Sequence, residues 1–223
     1  MLTKYFHRQK NSYIRSKSRS LMPEGWQSWF KGKEFSTDWT SAHYPFWCAA
    51  LKDLRNEKIE ILEIGSWEGR SAIFFLEYLT KSSITCVDTF AGGVEHSDHP
   101  VYARELPLVE QRFDRNLAAF NGRVTKLKGQ SIQAFGKIVP VGTKFDVIYI
   151  DGSHERDIVM VDTLMAWAML KVGGYLIWDD YAGGDGLADC NRVKSAIDAF
   201  LKWHRDEYKT LHHGYQIIIQ RTR

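Results

Sequence analysis

The segment Ile61-Leu-Glu-Ile-Gly-Ser-Trp-Glu-Gly-Arg-Ser71 changes character twice within eleven residues. Ile59–Ile64 is a short apolar run that stops at a glycine, the pattern of a buried strand. Gly65 and Gly69 bracket a tight turn, and Ser71–Leu79 reads as a helix. Outward from this segment the alternation repeats. Strands are expected at Ile84–Val87, Val124–Leu127, Phe145–Ile150 and Tyr175–Trp178, the last after a turn at Gly173-Gly174. Helices are expected at 104–120, 156–170 and about 190–204, and residues 91–103 read as a loop rich in Gly, His and Asp. Strands that are apolar throughout and alternate with helices imply a parallel sheet covered on both faces. The end of the chain breaks that rule. Tyr208–His212 and Tyr215–Gln220 flank a tight turn at His213-Gly214, a hairpin signal that makes at least one terminal strand antiparallel.

The 223 residues suit one substantial α/β domain with a small appendage, at 44% hydrophobic and 26% charged residues. No apolar run approaches the roughly 18 residues that span a bilayer. Residues 1–23 hold six Lys/Arg and no acid, on an otherwise slightly acidic chain. Such a leader fits a disordered tail, a polyanion-binding arm or a transit peptide. Residues 24–54 form an aromatic-rich cap segment with Trp26, Trp29, Trp39 and Trp47. Its rings can anchor it to the core, cover a ligand as a lid, or both. Residues 55–223 form the main domain. Cys48, Cys86 and Cys190 lack metal or disulfide spacing, which points to a reducing, cytoplasmic setting; Cys86 reads as a small core residue.

In an open α/β sheet, ligands bind beyond the carboxyl ends of the strands. Here those ends carry Glu63 with Gly65, Asp88, Gly129-Gln130-Ser131, Asp151 and Asp179-Asp180. The glycine turn exposes backbone N–H groups at a helix start, suited to a carboxylate or phosphate. Asp88 lies 23 residues beyond Gly65, where an acid can accept from a ribose diol. The pair points to a nucleoside cofactor, and G-x-x-x-G spacing disfavours the G-x-G-x-x-G of an NAD-dependent oxidoreductase. Asp151, Asp179 and Asp180 should converge from two strand ends. Three carboxylates in one cleft suit Mg²⁺ or another divalent cation. The alternative is that Asp179-Asp180 caps the following loop. His96, Asp98 and His99 read as a solvated cluster rather than a metal site.

Glu63-Ile-Gly-Ser-Trp-Glu-Gly-Arg-Ser71 resembles the E-x-G-x-x-x-G-x-S motif of class I S-adenosylmethionine (SAM)-dependent methyltransferases. Cys86-Val-Asp-Thr-Phe resembles their acidic second strand, and Ile150-Asp-Gly-Ser-His154 and Gly173-Gly174 through Asp179-Asp180 resemble later motifs. Within the class the chain is similar to small-molecule O-methyltransferases of the catechol and macrolide-sugar type. The resemblance covers roughly residues 55–223. It implies a three-layer Rossmann-like fold with a seven-stranded, mostly parallel sheet and an antiparallel C-terminal hairpin. It implies SAM contacts from Glu63, Gly65, Ser66, Gly69, Ser71, Asp88, Thr89, Gln130, Ser131 and Asp151, with Gln130 and Ser131 near the adenine. It places a metal on Asp151, Asp179 and Asp180; the third position is commonly an amide in catechol-type enzymes. Asp151 and His154 would serve catalysis, with His154 at the offset where catechol-type relatives carry a lysine base. A loop histidine oriented by Asp151 is the alternative. The expected acceptor is a small hydroxylated molecule. A nucleic-acid methyltransferase using the basic leader and a non-catalytic SAM-binding regulator are competing readings, and the sequence leaves a monomer and a homo-oligomer both open.

Overall fold

A computed structural model describes residues 21–223; most of the basic leader lies outside the described residues. Among those residues, seven strands form one sheet: β1 (Glu60–Ile64), β2 (Ser83–Asp88), β3 (Val124–Lys128), β4 (Phe145–Ile150), β5 (Leu170–Trp178), β6 (Tyr208–His213) and β7 (Ile217–Arg221). Their order is β3-β2-β1-β4-β5-β7-β6. Neighbours from β3 to β5 are parallel, and β7 runs antiparallel to both β5 and β6. The helices are α1 (Tyr44–Leu51), α2 (Arg70–Tyr78), α3 (Val94–Asp98), α4 (Pro100–Leu117), α5 (Ser131–Ile138), α6 (Arg156–Met169) and α7 (Val193–Trp203). No helix is long and apolar enough to cross a membrane, among the described residues.

The central strands β1, β4 and β5 are largely apolar on both faces because each face has its own core, whereas the edge strands β3 and β6 are more polar and mostly not buried. Ile61, Val147, Tyr149 and Ile177 join a cluster with α1, α2 and α4. Leu62, Ile148, Ile150 and Trp178 point the other way and join α5, α6 and α7. The period-two alternation of a strand assigns successive residues to opposite cores. The aromatic cap segment belongs to the first core. Tyr44 stacks on Phe74 at 4.2 Å and Trp47 on Phe75 at 4.8 Å. Trp39 differs, being 44% exposed. Cys86 is fully buried in the same core, as its apolar setting implies.

Three local expectations change. Residues 91–103 are not one loop, because α3 occupies Val94–Asp98 and α4 begins at Pro100. Proline favours a first helical position, where its missing N–H costs nothing and its φ is preset. The residue before it, His99, is extended at φ −95° and ψ 116°, which separates the two helices. Helix α5 fills the β3–β4 connection, which the pattern does not announce; it buries Ala134, Phe135 and Ile138 but exposes Ile132. Gly173-Gly174 is an irregularity within β5 rather than a turn before it. Pairing jumps from Phe145–Leu170 to Val147–Tyr175 there. A Cβ on Gly174 would lie 2.9 Å from the Asp146 carbonyl oxygen. The terminal hairpin is as expected, except that Tyr215 and Gln216 leave the ladder and β7 starts at Ile217.

Gly65 sits where β1 and β4 diverge. Its φ is 86°, and a Cβ there would lie 2.0 Å from the Asp151 carbonyl oxygen. Gly142 has a similar φ of 74° with nothing within 4 Å of the same position. Gly142→Ala is therefore expected to cost about 1–2 kcal/mol from left-handed strain alone. Gly65→Ala adds a backbone collision and should exceed about 4 kcal/mol. Urea denaturation of the two variants checks this, and equal costs would contradict the close crossing.

Candidate active site

The chain order reverses between β1 and β4, which makes the crevice beyond their carboxyl ends the natural ligand site. The Asp151 N–H donates to the Ile64 carbonyl at 2.7 Å, so the two strand ends leave the sheet side by side. The turn after β1 is tied down from several directions. Gly69, at φ 81°, caps α2, and its N–H donates to the Ser66 carbonyl at 2.7 Å. Asp88 at the end of β2 accepts the Ser66 and Trp67 N–H groups at 2.7 Å on one oxygen. Its other oxygen accepts the Phe90 N–H at 2.6 Å. Among the described residues, the non-glycine residues with positive φ are Trp67, Phe90 and Asp180, which follow β1, β2 and β5. Strain of this kind gathers where a site holds the backbone in place.

Glu68, next in the turn, is buried and paired with Arg112 of α4 at 2.8 Å. The same guanidinium holds Glu105 at 2.6 Å and Glu34 of the cap segment at 2.9 Å. The Ser36 N–H donates to Glu68 at 2.5 Å. Above the turn, Trp67 stacks on His96 at 4.8 Å and meets Trp39 at 5.6 Å. The cap segment therefore serves both as a core anchor and, through Trp39, as part of the rim.

Glu63 is completely buried, and its carboxylate oxygens make no full hydrogen bond, although the Ser66 and Ser71 hydroxyls and the Cys86 thiol lie close enough to act on them. Burial pushes it from the ordinary 4.5 up to about 7, with the nearby Ser66 and Ser71 hydroxyls offsetting part of the rise. A buried carboxyl without a full hydrogen bond is costly unless something compensates it. A cationic group in the crevice would do so.

A second acidic centre forms beyond β4 and β5. Asp151, His154 and Asp180 each offer a ligand atom, all within 4.8 Å of one another. His154 Nε2 lies 2.8 Å from Asp180 Oδ2, and the Tyr215 hydroxyl donates to the other Asp180 oxygen. Asp179 lies deeper. Its Oδ2 accepts from the Gln216 amide at 2.9 Å and the Tyr149 hydroxyl at 2.5 Å, and its Oδ1 accepts the Asp180 N–H at 2.8 Å. Tyr149 also contacts Asp151 Oδ2 at 2.8 Å. One hydroxyl hydrogen cannot serve two carboxylates, so the second contact needs a proton on one of the acids. Burial, then the charges of Asp179 and Asp180, holds Asp151 well above the carboxylate range. Asp179 is raised by burial and by Asp180. Asp180 is also pushed up by burial, but the His154 and Tyr215 contacts outweigh that and hold it low.

A family model for methyltransferase domains matches residues 62–181, from within β1 to the residue after Asp180. The chain belongs to that family. The matched segment is a methyltransferase domain, carried on a seven-stranded, mostly parallel Rossmann-like sheet. The methyltransferase MycE of the mycinamycin biosynthetic pathway, solved with Mg and S-adenosylhomocysteine (SAH), superposes with a TM-score of 0.58 at 17% identity. That match covers 88% of this chain and 53% of MycE, so the chain spans about half the length of MycE. The O-methyltransferase NovP gives 0.55 at 19% identity over 79% of this chain and 81% of its own. An O-methyltransferase from Bacillus cereus, solved with SAH, gives 0.56 at 16% identity over 92% and 91%. At such identities the likeness is one of fold. A search of curated proteins found no match.

The methyltransferase fold brings the sequence-expected residues to one rim, in different states. Glu63, Ser66 and Ser71 are buried beneath the glycine turn. Thr89 and Gln130 are exposed, and Ser131 opens α5. Asp88, expected to face a ribose, also holds the turn through three backbone N–H groups. Asp151, Asp180 and His154 converge, whereas Asp179 faces inward. His96 stacks on Trp67 instead of grouping with Asp98 and His99 as ligands. Tyr149, Gln216, Tyr215 and Arg112 went unread. Tyr149 was legible in principle, since residues 149 and 151 share a strand face. The others depend on the hairpin and on α4 packing.

The position of Glu63 gives a pH test. An acid whose folded value is raised adds stability below its unfolded value and loses it as pH climbs to the folded value. From 4.5 to about 7 that loss is about 3 kcal/mol. Without SAM, Glu63→Gln should match wild type near pH 4.5 and exceed it by about 3 kcal/mol at pH 8. Chemical denaturation across that range measures it; a pH-independent difference would contradict the assignment.

Proposed function

We propose that this methyltransferase transfers the SAM methyl group to a hydroxyl of a small acceptor, with a divalent cation held by Asp151 and Asp180, Asp179 standing behind them, and with His154 as the base. The observation that carries this is the meeting of Asp151, His154 and Asp180 beside the glycine turn. The crevice suits SAM on chemical grounds. The buried carboxyl of Glu63, without a full hydrogen bond, calls for a cationic group, and SAM carries an ammonium and a sulfonium. Gly65, Ser66, Gly69 and Ser71 would line its amino-acid and sugar portions, Asp88 and Thr89 the ribose, and Gln130 and Ser131 the adenine, with Asp151 between cofactor and acceptor.

SAM supplies a methyl carbon already activated by its sulfonium, which leaves alignment and acceptor deprotonation to the protein. A carboxylate-rich oxygen donor set suits a hard cation, whose role would be to lower the pKa of a bound hydroxyl. His154, whose Nε2–H faces the Asp180 carboxylate at 2.8 Å, takes the acceptor proton on its other ring nitrogen, Nδ1, and Asp180 stabilises the imidazolium that results. Trp39 and Trp67 line the approach and exclude water. The buried Cys48 and Cys86 and the exposed Cys190, all free, favour a reducing, cytoplasmic compartment.

The test is SAH release from SAM with a panel of catechols and sugar diols. Chelation should lower turnover at least about tenfold, with Mg²⁺ or Mn²⁺ restoring it. His154→Gln should cost about 10²–10⁴-fold in kcat, with SAH affinity retained. Undiminished turnover in the chelated Asp151→Ala/Asp180→Ala double variant would remove the cation from the reaction.

A further inference from the structure

The three carboxylates of the centre do not set their own orientations. Three buried side chains from three parts of the fold form one hydrogen-bonded chain behind them. Trp47 Nε1 on α1 donates to Gln216 Oε1 at 2.7 Å, which fixes the amide so that its NH₂ faces Asp179. Gln216 Nε2 then donates to Asp179 Oδ2 at 2.9 Å. Tyr149 on β4 reaches that same oxygen and Asp151 Oδ2. Trp47, Gln216 and Tyr149 are all fully buried. The Tyr149 ring is held edge-on by Trp47 at 5.0 Å and Phe75 at 5.9 Å, so its hydroxyl cannot follow a wandering carboxylate.

We propose that Tyr149 and Gln216 are positioning residues that clamp the Oδ2 atoms of Asp151 and Asp179 and so turn the second oxygen of Asp151 toward His154 and Asp180, presetting the cation site. Asp151 and Asp179 leave neighbouring parallel strands, and the Tyr149 hydroxyl, donating to one acid and accepting the proton of the other, holds together two groups that as bare carboxylates would repel. The clamp fixes both orientations before any ion arrives. Groups that orient metal ligands from behind typically change affinity 10–100-fold when removed. The inference rests on the cation reading of the preceding subsection, and its test keeps the two separate.

Tyr149→Phe deletes the hydroxyl and keeps the ring packing. Tyr78→Phe is the control, since it removes another buried tyrosine hydroxyl, bonded to the Cys48 carbonyl at 3.1 Å, away from the acids. Mn²⁺ binding to each full-length protein is followed by electron paramagnetic resonance, alongside SAH affinity and thermal midpoint. Tyr149→Phe should weaken Mn²⁺ binding by about 10–100-fold, with SAH affinity within about twofold of wild type. Tyr78→Phe should leave Mn²⁺ affinity unchanged. Gln216→Met should weaken Mn²⁺ binding in the same direction. Equal Mn²⁺ affinities for Tyr149→Phe and Tyr78→Phe would overturn the clamp. If wild type takes up no Mn²⁺, the cation reading fails, and crystal structures of wild type and Tyr149→Phe then decide the clamp. Carboxylates of Asp151 and Asp179 that keep their rotamers without the hydroxyl overturn it; rotated ones support it.

Discussion

Between Gly65 and Asp151 there is no room for a methyl group. A Cβ at Gly65 would sit 2.0 Å from the Asp151 carbonyl oxygen. The two central strands leave the sheet in contact, and everything beyond them is arranged around that contact. The glycine turn swings to one side, to be held by Asp88 and Gly69. The Asp151–His154 loop swings to the other, where it meets Asp180. A side chain at residue 65 would part the two loops and separate the cofactor side of the crevice from the acidic side.

The crevice is electrostatically incomplete as it stands. Glu63 is buried without a full hydrogen bond, Asp151 is held up by burial and by Asp179 and Asp180, and Asp179 is held up by burial and by Asp180. Such groups stabilise no fold and persist because the surrounding structure over-determines their positions. A cofactor with two positive centres and a divalent cation are the species whose charges would balance them. The Arg112 cluster shows the opposite arrangement, with one guanidinium satisfied by Glu34, Glu68 and Glu105. That cluster secures the glycine turn with its charges already paired.

Segments far apart in sequence meet at the site. The cap segment contributes Trp39 at the rim and Trp47 beneath it, and the C-terminal hairpin contributes Tyr215 and Gln216. Trp47 and Gln216 touch across 169 residues of chain. The antiparallel hairpin thus closes the sheet and also presents two polar side chains to the acids of β4 and β5.

The sequence by itself determined the central sheet, because strands buried on both faces must be almost wholly apolar, and Phe145–Ile150 and Ile61–Ile64 each carry a single charged residue, Asp146 and Glu63. It determined the rim as well, since Asp88, Asp151 and Asp179-Asp180 stand where an apolar run stops and Glu63 one residue before the end of β1. Helix α3 and the start of α4 escaped it, because Gly, His and Pro signal a loop until Pro100 is recognised as a first helical residue. So did α5, whose exposed Ile132 breaks the amphipathic pattern. Which carboxylate faces His154 and which faces the core was decided by tertiary structure alone. Asp179 and Asp180 are adjacent and chemically identical, and only the placement of Tyr149 and Gln216 behind one and of His154 and Tyr215 before the other distinguishes them.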